Sequence, residues 1–398
     1  MASDTDWRAS LTSSDRYDNI QSIKKSLEQS DTSASSSQGS AFTIENEAYK
    51  TSLSRDQYNA ACQNITIPNP SASASASASA KPSPASTSRD IPESLGITIG
   101  SYHSCHHVAG GVTAEVYRSK AVALKVIVET RDMEPHNPFR EAKILRLASK
   151  SCIPLIETFR DQEQRFVLAF PFMPTSLEAL IEQGPISMDR IRKHFTDLFN
   201  ALEDIHQKGI IHRDIKPSAI LLQSADGPAY LSDFGTAWHP EFSAVAEPAN
   251  EKILDIGTGP YRAPEALFGD RSYGPAVDMW GAGAMLAECC RDSPQPLFES
   301  RPAHEDGSQL GLILSIFKTI GSPTPESWPE AVNFKTPPFE IYNVFEGQAW
   351  HELLPDVNSD FRELIAALVV YESRSRATAS EVLQFKCMLD PSHNHNDQ

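Results

Sequence analysis

The pattern of apolar and polar positions divides this chain into stretches of different period. From Met1 to about residue 94 no apolar period is sustained, and Ser71 to Ala80 is a strict Ser-Ala alternation that runs into the Pro/Ser-rich KPSPASTS. Such sequence cannot bury enough apolar surface to offset its ordering entropy, so residues 1–94 read as a disordered arm. Only a short helix at Tyr17 to Leu27 is expected within it. Ile97 to Ala123 reads as the first strands of a small β-lobe. Ala121-Val122-Ala123-Leu124-Lys125 alternates as a half-buried strand, and Arg165 to Phe172 (RFVLAFPF) as a buried one that Met173-Pro174 breaks. Between them Ile144, Leu145 and Leu147 give PFREAKILRLAS a helical apolar face. The period is then helical at Ser176 to Gln183 and Asp189 to Lys208. Ala276 to Cys290 is apolar nearly all round, which predicts a central helix. Strands first and helices afterwards make the class α+β.

Length and charge narrow this picture. A chain of 398 residues accommodates a two-lobed domain of about 290 residues plus an arm. Residues 1–90 hold eight Lys/Arg against ten Asp/Glu, so −15 of the net −17 lies in the expected folded part. That sign argues against a nucleic-acid backbone as partner and favours basic partners or basic peptide substrates. Cys62, Cys105, Cys152, Cys289, Cys290 and Cys387 have no framework spacing and read as reduced. With neither an apolar run long enough to span a membrane nor a signal-peptide core, the expected location is nucleus or cytoplasm.

The chemistry concentrates in Ile210 to Leu222, IIHRDIKPSAILL. Asp214 at a loop tip can accept the proton of a hydroxyl, and Lys216, two residues on, can neutralise charge on a group in transfer. Apolar residues on both sides would pin this loop to a core. Asp233-Phe234-Gly235 follows nineteen residues after Asp214, and Gly257-Thr258-Gly259-Pro260-Tyr261-Arg262-Ala263-Pro264-Glu265 comes later. Asp-Phe-Gly alone could be a simple turn. Glu141, sixteen residues after Lys125, lies where it could pair with that lysine. Glu265 needs a buried cation, for which Arg376 is the candidate, and Asp278 can brace the catalytic-loop backbone. His103-Ser104-Cys105-His106-His107 looks like a metal cluster, but successive side chains on a strand point to opposite faces and would not converge.

His212-Arg213-Asp214, Asp233-Phe234-Gly235 and the VALK strand at these separations resemble the protein kinases. Pro296-Leu297-Phe298, Gly321-Ser322-Pro323-Thr324, Trp328-Pro329 and PYRAPEALFG resemble the cyclin-dependent kinases in particular. The resemblance covers about residues 97–389. It implies a bilobal kinase fold, with a kinase domain over 95–390, a small lobe to about residue 172 and a tail over 391–398. It also implies ATP and Mg²⁺ as cofactors. Asp214 becomes the catalytic base, assisted by Lys216 and Thr258, and Asp233 the metal ligand. Lys125 and Glu141 become the ATP-orienting pair. Gly111, Val116, Ala123, Phe170, Met173 and Leu221 would line the nucleotide site.

Departures from that pattern refine it. The metal-binding Asn expected five residues after Asp214 is Ala219. The outer glycines of the phosphate loop are Ala109 and Ala114, and alanine does not adopt positive φ cheaply. The cyclin-contacting helix is replaced by His136-Asn137-Pro138-Phe139-Arg140-Glu141, which argues against cyclin binding. The phosphorylatable Thr of the activation segment is Ile253, so Arg213 would have no phosphate to bind. Ser243 is the nearest upstream hydroxyl in that segment. These features resemble the single-subunit CDK-activating kinases of fungi, which phosphorylate the activation loop of other cyclin-dependent kinases. The expected activity is transfer of the ATP γ-phosphate to serine or threonine of a protein, by a monomer. The rival reading is a pseudokinase scaffold that binds kinase or cyclin partners with little catalysis.

Overall fold

The structure is a computed structural model, and the residues it describes are Ile23, Ala48, Ser52, 54–63, 96–110, 113–128, 134–148, 150–300, 309–339 and 343–389. The chain divides into two units, Met1–Ile91 and Pro92–Gln398. In the first, Arg55–Gln63 forms a helix, α1, in which Tyr58 and Cys62 are buried. This helix was not foreseen from the sequence, because its only apolar spacing is that one i,i+4 pair in a polar background. The expected helix at Tyr17 to Leu27 lies outside the described residues apart from Ile23.

The second unit opens with a six-stranded antiparallel sheet in the order β1-β2-β3-β4-β6-β5. Its strands are β1 (Ile97–Ile99), β2 (Tyr102–Gly110), β3 (Ala114–Ser119), β4 (Val122–Ile127), β5 (Glu157–Arg160) and β6 (Phe166–Pro171). The alternation along β4 and β6 sorts side chains to two faces. Leu124, Val126, Val167 and Ala169 join Ile99 and Cys105 in a small cluster on one side. Ile127, Phe166, Leu168 and Phe170 face the main core on the other, with Ala123 packed against it. The β3–β4 hairpin closes on Lys120 and Ala121, with Lys120 in the left-handed region at φ 54°. Its register sets Val116 opposite Lys125. Neither Ala109 nor Ala114 has positive φ. Alanine is therefore tolerated on the flanks of the phosphate loop, whose Gly111 lies outside the described residues.

Helix α2 (Pro138–Leu145) carries Glu141. Asn137 caps it, its Oδ1 accepting from the Arg140 amide at 3.0 Å, and Pro138 occupies the first turn, where a missing N–H costs nothing. This start fixes which side of the helix Glu141 occupies. The Asn137 amide donates to the Gly235 carbonyl at 2.9 Å, which ties the start of the helix to the Asp-Phe-Gly turn.

The larger lobe is helical. Helix α3 (Leu177–Glu182) is followed by α4 (Met188–Gln207), which buries Ile191, Phe195, Leu198, Leu202 and Ile205 at helical spacing. A short sheet of β7 (Thr175–Ser176), β8 (Ile220–Leu222) and β9 (Ala229–Leu231) flanks the catalytic loop. After the short helix α5 (Pro264–Leu267), α6 (Ala276–Cys289) is buried along its whole length from Val277. A Cβ at Gly283 would lie 2.6 Å from Leu368 Cβ, so glycine is required where α6 meets the helix of Leu368. The remaining helices are α7 (Leu310–Ile320), α8 (Trp350–Leu353), α9 (Ser359–Leu368) and α10 (Ala379–Val382). Among the described residues no helix is long and apolar enough to cross a membrane.

The predicted Glu265–Arg376 pair forms. It is bidentate, at 2.7 and 3.2 Å, with both side chains buried. Arg376 also donates to the carbonyls of Ala276, Val370 and Tyr371, so its charge is fully partnered. Breaking such a pair from one side leaves an uncompensated buried charge. Glu265→Ala is therefore expected to cost about 3–5 kcal/mol, and the apolar pair Glu265→Met/Arg376→Met clearly less. Urea unfolding of the two variants checks this, and equal losses would contradict it.

Candidate active site

The site is assembled from loops held by buried charge. Residues 210–216 form no helix or strand; the Ile210 amide donates to the Ile205 carbonyl and Ile211 bridges to Trp238, but the His212 and Arg213 amides have no backbone acceptor. Asp278, at the start of α6, supplies what a ladder would. Its two carboxylate oxygens accept from the amides of His212 at 2.8 Å and Arg213 at 2.7 Å, and the first also meets His206 Nε2 at 2.9 Å. Burial alone would raise the Asp278 carboxyl. The hydrogen bond and charge of His206, with the Arg213 amide, overcome this and hold it below the ordinary range. Arg213 sits at φ 73°. A non-glycine residue there costs about 1–2 kcal/mol, and such strain clusters at functional sites.

At the loop tip Asp214 is held on both oxygens. Thr258 Oγ1 donates to Oδ1 at 2.6 Å, and Lys216 Nζ to Oδ2 at 2.6 Å; Lys216 also reaches Thr258 Oγ1 at 3.2 Å. The three residues assigned to catalysis thus meet at one point. His212 Nε2 bonds the Ser232 carbonyl at 2.8 Å, and its ring packs edge-on against buried Phe234, 4.8 Å between centroids. These contacts fix Asp233 relative to the loop.

Across the cleft, Lys125 Nζ donates to both oxygens of Glu141, at 2.8 and 3.0 Å, and to Asp233 Oδ1 at 2.9 Å. Burial opposes the charge on Lys125, but Asp233 and Glu141 outweigh it and hold the ammonium well above the ordinary lysine range. Lys125 in turn holds the Asp233 carboxyl well below the ordinary carboxylate range. Asp233 itself is in the left-handed region, at φ 60°.

Between these groups lies a cavity of about 610 Å³, within the size range of small-molecule sites. Val116, Ala123, Phe170, Met173 and Leu221 line its apolar part, and Lys125, Glu141, Lys216 and Asp233 its polar part. An apolar slot for a flat ring next to a cation and a carboxylate suits a nucleotide with its phosphates and a metal. Ala219 is buried, and its carbonyl accepts both the amide and the hydroxyl of Ser232 at 2.8 Å. It offers no side-chain donor, so Asp233 is the one carboxylate of the expected pair of metal ligands.

Two readings of the activation segment change with the structure. Ser243, the hydroxyl considered for phosphorylation, is fully buried, and its Oγ accepts from the His239 amide at 3.0 Å. It is not available to a modifying enzyme in this arrangement, which corrects that suggestion. Arg213, expected to lack an anion, has one in Glu247, at 2.6 and 3.0 Å. No spacing or period marks Glu247, 34 residues away and flanked by Glu241 and Glu251.

A two-lobed fold with a Lys–Glu pair, an Asp-Phe-Gly turn and a braced His-Arg-Asp loop defines the protein kinases. The chain belongs to that family: the protein kinase domain model matches residues 102–388. Within it the chain is a serine/threonine kinase of the cyclin-dependent-kinase type, as its relatives show. The serine/threonine-protein kinase csk1 of Schizosaccharomyces pombe is 34% identical over 293 residues, 71% of this chain and 93% of that protein. Cyclin-dependent kinase 7 of Carassius auratus is 30% identical over 299 residues, 72% and 82% of the two chains. Cyclin-dependent kinase 20 of Pongo abelii is 31% identical over 281 residues, 68% and 75%. The relatives are named kinases, and the scaffold reading finds no support among them.

A carboxyl whose folded pKa is depressed stabilises the fold above its unfolded value, and that stability is lost as pH falls through the folded value. Asp278 is such a group. The chain is expected to lose stability as pH falls below about 4, the ordinary Asp range, and Asp278→Asn to lose less over the same interval. Thermal midpoints from neutral pH to pH 3 check this, and parallel curves for the two proteins would contradict it.

Proposed function

We propose that this chain transfers the γ-phosphate of ATP to the activation-loop hydroxyl of another cyclin-dependent kinase, as a monomer without a cyclin, in nucleus or cytoplasm. The observation that carries the catalytic part is Asp214, held on both oxygens by Thr258 and Lys216 and facing the Lys125–Glu141–Asp233 cluster within a single chain. The choice of substrate rests on Ile253, on the altered segment His136 to Glu141, and on the likeness to csk1 and cyclin-dependent kinase 7.

In this reading Asp214 takes the proton of the substrate hydroxyl as it attacks. Thr258 and Lys216 hold the carboxylate in place, and the Lys216 ammonium neutralises charge that develops on the group in transfer. Lys125, oriented by Glu141, holds the α- and β-phosphates. Val116, Ala123, Phe170, Met173 and Leu221 exclude water from the adenine. Asp233 would hold Mg²⁺, which when bound would neutralise phosphate charge. Ala219 would give that ion no side-chain ligand, so Asp233 would be its protein carboxylate, as magnesium commonly tolerates.

The test is phosphate incorporation into an unphosphorylated cyclin-dependent kinase, mapped by mass spectrometry and measured against free Mg²⁺. Wild type is expected to label the activation-loop Thr and to need more free Mg²⁺ than Ala219→Asn. Asp214→Ala is expected to fall by roughly 10²–10⁴-fold, the usual worth of a general base. Label on a different residue would overturn the substrate. A wild type no faster than Asp214→Ala at any Mg²⁺ concentration would overturn catalysis.

A further inference from the structure

Glu247 lies in the middle of the activation segment, yet its side chain is fully buried, as is that of Arg213. Its two oxygens take the Arg213 guanidinium from both sides, at 2.6 and 3.0 Å. The first oxygen also accepts the Ile253 amide at 3.0 Å, and the second lies 3.7 Å from Arg140 Nη1 on α2. The Glu247 carbonyl accepts from Trp238 Nε1 at 2.9 Å. One residue therefore joins both ends of the activation segment, the catalytic loop and the helix of the small lobe.

The neighbours of its two arginines matter. Arg213 precedes Asp214, and Arg140 precedes Glu141, which holds Lys125 at 2.8 Å. Arg140 also pairs with Glu134 at 2.8 Å, but Glu247 is the acid that reaches both guanidinium groups, which converge from different lobes and repel each other without an anion between them. Burial by itself would raise the Glu247 carboxyl, but Arg213 holds it below the ordinary range, so the anion is present at neutral pH. Ile253 has no hydroxyl through which an anion could be added nearby.

We propose that Glu247 is a positioning residue for phosphoryl transfer: a permanent internal carboxylate that draws Arg140 and Arg213 together and so sets Glu141 against Lys125 and Asp214 at its loop tip. It rests on the kinase activity stated above and adds the element that keeps the activation segment closed without modification. Neutralising it removes the acid that the two arginines share, while Arg140 keeps Glu134 and Arg213 keeps the Thr236 carbonyl. Asp214 and Lys125 then remain in the chain but lose their mutual placement.

The experiment measures kcat and KM for ATP, with slow ATP hydrolysis as the readout so that no protein substrate has to be known, alongside thermal midpoints. Glu247→Gln, which keeps shape and loses charge, is expected to lower kcat at least tenfold at temperatures well below its midpoint. KM for ATP should change less. Glu247→Asp, which keeps the charge, is expected to recover most of the loss. Because a lone buried arginine also destabilises the fold, Glu247→Met/Arg213→Met is the control: it leaves neither charge unpaired. Its midpoint is expected to exceed that of Glu247→Gln while its kcat stays at least tenfold low. Wild-type kcat in the folded Glu247→Gln protein, or in the double variant, would show Glu247 to be structural only and overturn the proposal. A wild type without ATP turnover would instead overturn the activity on which it rests.

Discussion

The catalytic loop depends on the buried carboxylate of Asp278. The His212 and Arg213 amides have neither helix nor ladder to satisfy them, and the Asp278 carboxylate accepts both. An amide buried without a partner would cost about 1–3 kcal/mol. The brace comes from α6, buried from Val277 on, so the loop inherits the rigidity of the core. Arg213 can then hold its strained φ, and Asp214 projects toward Thr258 and Lys216. Remove the brace and the apolar flanks Ile210, Ile211 and Ile220 still anchor the loop, but the His212 and Arg213 amides lose the acceptor that orients the approach to its tip.

Much of this was legible in the sequence, for reasons that differ by element. The β4 alternation announced a strand because a sheet with two distinct faces imposes period two, and the structure sends Leu124 and Val126 one way and Ile127 the other. Lys125 and Glu141 could be paired from spacing because a short strand and a capped helix leave few ways to bring them together. Arg376 was found for Glu265 because a buried acid must have a cation. The same argument was available for Arg213 and was not carried through: the sequence showed that an expected modification site was missing and stopped there. Glu247 supplies the anion from a segment without period or motif, where only three-dimensional placement distinguishes one acid from its neighbours. Helix α1 escaped for a related reason, since a single pair of buried positions in a polar stretch gives no period to read.

The substitutions that suggested a degraded site are reconciled by local geometry. Ala109 and Ala114 occupy extended backbone, where alanine has no disadvantage over glycine. Ala219 packs beneath Ser232 and disturbs nothing around Asp233, whose carboxylate Lys125 keeps ionised. The cluster that resists change is ionic: Lys125, Glu141 and Asp233 on one side of the cleft, Asp214 and Lys216 on the other. Each charge there is partnered within the chain, which supports the proposal that the site works with no added phosphate and no second subunit.

That self-sufficiency is the central claim. Its most direct measurement is the rate of phosphoryl transfer by the full chain produced in bacteria and treated with phosphatase, with and without added cyclin. Mass spectrometry should first establish that residues 236–265 carry no phosphate. The rate is expected to equal that of the untreated protein and to be unchanged by cyclin. A rate that collapses on phosphatase treatment, or that rises many-fold with cyclin, would contradict the account.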